Sequence, residues 1–196
     1  MMSIQFRVNR QRVESGFSLI EMMIVVAIIG VVGVMALPQL ISMRRVQRAA
    51  AVPFLVKSQL RLARQQAMAQ RRPVTFRYDD QLKQISLINN GVQSGTMSLV
   101  GDGVTSAELV YGVPPTAAAL LGDGATFTPV TAPLSQLNIT FQPDGSVLNA
   151  AGAPTSFALF FYNSKDPQDT ATAISVLGSA GRIKTWRYGT NGKFAE

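Results

Sequence analysis

The sequence predicts an α+β fold: one long N-terminal helix, first membrane-embedded and then amphipathic, packed on a C-terminal antiparallel β-sheet domain. Three observations predict it. An uncharged run over residues 22–37 is followed by apolar residues at helical spacing as far as Arg71-Arg72-Pro73. Beyond Pro73 the pattern changes to short alternating runs punctuated by Gly, Asn, Asp and Pro. The length, 196 residues, suits one membrane helix and one modest domain.

The first element is read from its charges. Arg7, Arg10 and Arg12 precede Gly16, and Phe17-Ser18-Leu19-Ile20-Glu21 leads into the uncharged run. Residues 17–37 would make roughly 32 Å of helix, enough to span a bilayer with little to spare. A carboxylate inside such a segment costs about 2.5–3.5 kcal/mol on insertion scales, so Glu21 needs a partner and a purpose. Cutting after Gly16 would supply one, a free α-amine on Phe17. A secretory signal peptide cut near Val34-Met35-Ala36, or a plain signal anchor, would also suit the basic start, but both leave Glu21 unexplained. Arg44, Arg45 and Arg48 nearly balance the leader arginines, so a positive-inside count alone does not fix the orientation.

After the membrane segment, Ala49, Val52, Val56, Leu60, Ala63 and Ala67 step by three or four. This apolar stripe is expected to pack on a sheet, with Lys57, Arg61, Arg64 and Arg71 on a neighbouring face. Pro38 and Pro53 each lack an N–H and crowd the carbonyl four residues back, so each is expected to bend the helix. The residue before Pro73 is pushed out of helical geometry, which ends the element.

The strands follow from period-two alternation. Val74, Phe76 and Tyr78 alternate, and Asp79-Asp80 turns the chain into 84–88. Leu137, Ile139 and Phe141 alternate before the Pro143-Asp144-Gly145 turn. Residues 156–162 form a nearly continuous apolar strand, expected to be central. Residues 173–177 and 182–188 flank Gly178-Ser179-Ala180-Gly181 as a closing hairpin. The middle, 89–133, is loop-rich, with short strands expected at 97–100 and 108–111. Its two Gly-Asp-Gly stretches, 101–103 and 122–124, offer one carboxylate each and read as turns rather than calcium sites.

Composition narrows the chemistry. There is no cysteine and no histidine, which removes disulfides, Cys- or His-ligated metals and His- or Cys-based catalysis. Carboxylates are scattered and no Ser-x-x-Lys pattern occurs, so the chain reads as a non-enzyme needing no cofactor and no metal. Charge is segregated. Residues 22–78 hold nine basic residues and no acidic one, 79–181 carry a net −6, and 182–196 return to +3. A basic stem, an acidic body and a basic tail suggest three different environments. The basic stripe itself reads as a solvated face, as a contact for anionic headgroups near Arg44, Arg45 and Arg48, or as a partner for acidic faces of neighbouring subunits.

Gly16-Phe17-Ser18-Leu19-Ile20-Glu21 resembles the processing site of type IV pilins and type II secretion pseudopilins. Further likeness lies in Arg61-Leu62-Ala63-Arg64-Gln65-Gln66-Ala67, Val74-Thr75-Phe76, Ile139-Thr140-Phe141-Gln142-Pro143-Asp144-Gly145 and Gly181-Arg182-Ile183-Lys184. These are similar to the GspH/FimT group of minor pseudopilins and minor pilins. The resemblance implies cleavage after Gly16 by a prepilin peptidase, methylation of Phe17, and pairing of Glu21 with the terminal amine of a neighbouring subunit. A proline at the membrane exit, as at Pro38, is also similar to pilin stems. The implied organisation is a cleaved leader over 1–16, a transmembrane and assembly helix over 17–37, its amphipathic continuation over 38–72, and a periplasmic β-rich domain over 73–196. The implied place is the bacterial inner membrane, N-terminus cytoplasmic, and then a pilus or pseudopilus. The implied partners are other minor pilins or pseudopilins, the major subunit, the peptidase and inner-membrane lipids. The group implies a low-copy subunit near the filament tip that primes assembly and protein secretion.

The basic tail opens an alternative. In a strand over 182–188, Arg182, Lys184, Trp186 and Tyr188 share one face and Arg187 points to the other. Cations beside aromatics suit phosphate contact and base stacking, and FimT-like pilins of DNA-uptake systems are similar in binding DNA through Gly-Arg-x-Arg. Lys184 stands at the second arginine position and lacks its bidentate fork. The bland alternative is a terminal strand with Trp186 buried and its cations solvated.

Overall fold

The computed structural model describes residues 18–101, 105–149, 151–189 and 192–196, with only the backbone for 35–46 and 48–50. The chain divides into two compact units, Met1–Ser42 and Met43–Glu196. In the first, helix α1 (Leu19–Gln70) begins after Ser18, whose carbonyl accepts the Glu21 and Met22 N–H groups at 3.0 and 3.2 Å. Residues 19–34 are exposed. Among the described residues no helix is long and apolar enough to cross a membrane. Neither Pro38 nor Pro53 ends α1, which contains both.

In the second unit, the remainder of α1 leads, among the described residues, into nine strands: β1 (Val74–Asp79), β2 (Gln84–Asn89), β3 (Val92–Ser98), β4 (Leu109–Tyr111), β5 (Gln136–Phe141), β6 (Phe157–Asn163), β7 (Thr172–Leu177), β8 (Arg182–Tyr188) and β9 (Phe194–Ala195). They form two antiparallel sheets, ordered β3-β2-β1-β5 and β4-β6-β7-β8-β9. The expected helical stripe is the centre of the main core: Val56, Leu60, Ala63 and Ala67 are wholly buried and Val52 nearly so. They pack with Phe76, Tyr78, Ile139 and Phe141 of the first sheet and with Leu159, Phe161, Ile174 and Val176 of the second. Burying each Val or Leu contributes about 1.5–3 kcal/mol, so this stripe binds both sheets to one helix.

α1 stops at Gln70, two residues before the expected bound. Arg71 takes a left-handed φ of 52°, and the Arg72 N–H bonds back to the Ala67 carbonyl at 3.2 Å. That is a six-to-one helix C-cap, with Pro73 preventing continuation. The strand expected at 97–100 is instead β3, which starts at Val92. Asn90 and Gly91 both have positive φ (52° and 76°), the geometry of a two-residue hairpin turn with matching twist. The Asn-Gly pair was therefore the available signal. β6 is interior as expected, although β7 holds the middle place of its five-stranded sheet.

β6 is almost continuously buried because its sheet is covered on both faces. Ala158, Phe160, Ala173 and Trp186 face away from the main core into a second cluster with Leu121 and Ala125, flanked by Val113, Phe127 and Phe194. Much of the loop-rich middle thus forms a lid on the outer sheet face. Backbone bonds from Gly112 to Phe160 and from Thr128 to Ala158, both 3.0 Å, tie it down. Where the two clusters meet, the Tyr111 ring lies 5.0 Å from Tyr78 and 5.4 Å from Phe127. Burial pushes both phenols far above their ordinary pKa, and the adjacent Asp80 carboxylate adds to the effect.

Two turns invite tests. The Gly181 φ is 57°, and a Cβ there would lie 1.8 Å from the Gly145 carbonyl oxygen. Gly181→Ala is therefore expected to destabilise the full chain by about 2–4 kcal/mol, read from urea unfolding in detergent. At the β1–β2 turn, burial pushes the Asp79 carboxyl up, but the Leu82 and Gln81 N–H groups and the Gln136 amide outweigh it and hold the pKa below its ordinary 3.8. A carboxylate with a depressed folded pKa stabilises above its unfolded value and loses that contribution as pH falls through the folded one. Asp79→Asn should lower the melting temperature at neutral pH, and the gap should narrow below pH 3.8.

Candidate functional site

Two regions carry the residues singled out by the sequence. Gly16 and Phe17 lie outside the described residues. Glu21 is exposed in the first turn of α1, where a carboxylate is favoured by the helix dipole. Around it Leu19, Ile20, Met22, Met23 and Ile24 are also exposed, between 54% and 78%. A contiguous apolar surface of this kind marks an interaction or membrane site.

The second region is β8. Trp186 enters the outer cluster, while Arg187 lines a different hollow with Phe54 and Lys57. The expected stacking role for Trp186 is corrected by its burial. It is only 7% exposed, and its Nε1 donates to the Ser175 hydroxyl at 2.9 Å. That hydroxyl donates in turn to Asp123, whose other carboxylate oxygen accepts the Ala125 N–H at 3.1 Å. The second Gly-Asp-Gly stretch is therefore a turn whose carboxylate anchors the lid over Trp186. A Cβ at Gly122 would already touch the indole at 3.4 Å.

The neighbouring groups on this face are engaged as well. Lys184 Nζ lies 5.2 Å from the Trp186 ring centre and 2.7 Å from a Glu196 carboxylate oxygen. The hydrogen bond from Lys184 holds the Glu196 carboxyl below its ordinary pKa. Tyr188 donates to the Thr116 carbonyl at 3.0 Å. Of the aromatics expected beside the cations, Trp186 thus belongs to the core, while Tyr188 is half-buried.

Arg182 sits elsewhere. The structure places it with Arg61 and Arg64 of α1, lining one cleft of about 540 Å³. The sequence pattern put Arg61 and Arg64 on a basic helix face but gave no sign that a hairpin 116 residues after Arg64 would close against it.

Comparison with known proteins follows this geometry. Residues 11–37 match the prokaryotic N-terminal methylation motif, and residues 55–181 match the family model described as type II transport protein GspH. Two solved structures of the type IV minor pilin FimU from Pseudomonas aeruginosa strain PAO1 are similar. One has 18% identity and a TM-score of 0.44, covering 79% of this chain and 96% of that one. The other has 15% identity and a TM-score of 0.45, covering 75% and 97%. Among curated proteins nothing matches.

Trp186 is the single tryptophan, so its environment can be read directly. Its emission should be blue-shifted and resist iodide quenching, and added DNA should leave it unchanged. Trp186→Ala should cost about 3–5 kcal/mol in unfolding free energy, the usual penalty for emptying a buried aromatic site.

Proposed function

The chain belongs to the family of type II transport protein GspH, and from that premise we propose that it is a minor subunit of a type II secretion pseudopilus or a related type IV filament. The observation that carries this reading is Glu21, a lone carboxylate in an exposed apolar helix. A folded domain has no use for such a surface, whereas a bundle of stacked N-terminal helices buries it.

The steps follow from chemistry. A prepilin peptidase cuts between Gly16 and Phe17, and the new amine is methylated, in keeping with the matched methylation motif. Before assembly the apolar segment 17–37 sits in the inner membrane, with the leader arginines on the cytoplasmic side and the β-domain in the periplasm. On assembly Glu21 pairs with the Phe17 amine of a neighbouring subunit, relieving the cost of a buried unpaired charge. Pro38 and Pro53 are positions where the stem can bend to fit the filament. The β-domain sits near the tip, joining other minor subunits and the major subunit to prime assembly. A DNA-binding tail is the weaker alternative, because Trp186 is buried and Lys184 is paired with Glu196.

Two substitutions test the proposal. Gly16→Leu should leave the leader attached, and Glu21→Ala should permit cleavage but exclude the subunit from filaments. Intact mass of the mature chain and recovery from sheared filaments are the readouts. A mature N-terminus other than Phe17, or normal incorporation of Glu21→Ala, defeats the reading.

A further inference from the structure

Arg61 and Arg64 lie three residues apart on α1, a spacing that puts them on neighbouring parts of one helix face. The β7–β8 turn closes on that face, and Arg64 Nη2 donates to the Ala180 carbonyl at 3.0 Å. The first residue of β8, Arg182, lines the same cleft, with Gln65, Gly181 and Ile183. Among the described residues no acidic one lines it. The ion pairs among the described residues are Lys83–Asp80, Lys165–Glu108 and Lys184–Glu196, so none of these three arginines has a carboxylate within bridging distance.

The position of Arg64 is built rather than incidental. Gly145 and Gly181, both at positive φ, press against it: a Cβ on either would lie 3.1 or 2.9 Å from its Nε. That Nε is buried and without an acceptor. A guanidinium carries five N–H donors, and protein contacts account for one of them here. Three cations surround one concavity, one of them fixed by a backbone carbonyl and Arg182 close enough to Glu196 to help lower its carboxyl pKa, and together they make a receptor for an anion.

We propose that Arg61, Arg64 and Arg182 form a carboxylate-binding cleft that takes an acidic side chain of an adjoining filament subunit, an inference that rests on the filament role proposed above. The charge segregation favours this occupant. From Arg44 to Arg77 the chain holds nine basic residues and no acidic one, whereas 79–181 carry a net −6, so stem-to-body contacts between subunits of this design are attractive. The cleft suits one planar, bidentate group. A nucleic-acid strand would want a stacking surface beside the cations, and the nearby indole is buried.

The test uses the full chain in detergent micelles and a fluorescently labelled polyglutamate peptide, with a DNA duplex as the second arm. Arg61→Gln and Arg182→Gln alter exposed residues, so their folds should persist, and melting curves check this. Each should weaken peptide binding by about tenfold, Arg64→Lys, which keeps the charge but loses the fork, should weaken it too, and Arg72→Gln, an exposed control at the helix end, should bind as the parent does. Equal binding by the parent and the three cleft variants overturns the proposal, as does no binding by the parent. DNA binding that depends on the same arginines, with peptide binding that does not, also overturns it in favour of nucleic acid. The titration reads unassembled protein, so its outcome is independent of whether Glu21 directs filament entry.

Discussion

The contact on which the β-domain depends is one stripe of one helix. Val52, Val56, Leu60, Ala63 and Ala67 share one core with residues of both sheets, which also touch directly where Tyr78 meets Tyr111 and Phe161. Small residues at 63 and 67 bring the backbone close, and larger ones at 56 and 60 fill the space between sheets. A polar residue on this stripe would be buried in a core that both sheets share.

Close approach beside Arg64 of that helix has a separate cause. The turn after β5 and the turn between β7 and β8 meet at Gly145 and Gly181; a side chain at Gly181 would collide with the Gly145 carbonyl, and one at Gly145 would crowd Arg64 and Met68. Two glycines therefore fix the distance between turns, and the same approach aims a carbonyl at Arg64. Packing and charge presentation are one arrangement here. The glycines serve the fold by letting the turns meet and serve the surface by holding a cation in place.

The outer face of the second sheet shows how loop-rich sequence becomes ordered. In the lid, Leu121, Ala125 and Phe127 are spaced to reach Phe160, Ala173 and Trp186. The chain Trp186–Ser175–Asp123 adds directional bonds under that lid, and a buried donor such as an indole N–H is costly when unpaired. Trp186 is thus held from inside the sheet and from above. The tail of the chain contributes to stability through this indole and to surface charge through Arg182.

The sequence by itself determined the helix stripe, most of the strands, the closing hairpin and the processing motif. Each of these is local: a period of 3.6 or 2, a turn dipeptide, or a short charged pattern inside an apolar run. It also allowed β3 to be found, since Asn90-Gly91 is a turn signal, although the polar Gln93-Ser94-Gly95-Thr96 behind it hides the strand. Only the tertiary structure decided that Trp186 is core rather than platform, and that Arg182 joins Arg61 and Arg64. Alternation places a side chain on a face of a strand but does not say what covers that face. Here a distant loop covers one face and a distant helix meets the strand's end, and contacts between segments so far apart in the chain leave no mark in either segment alone.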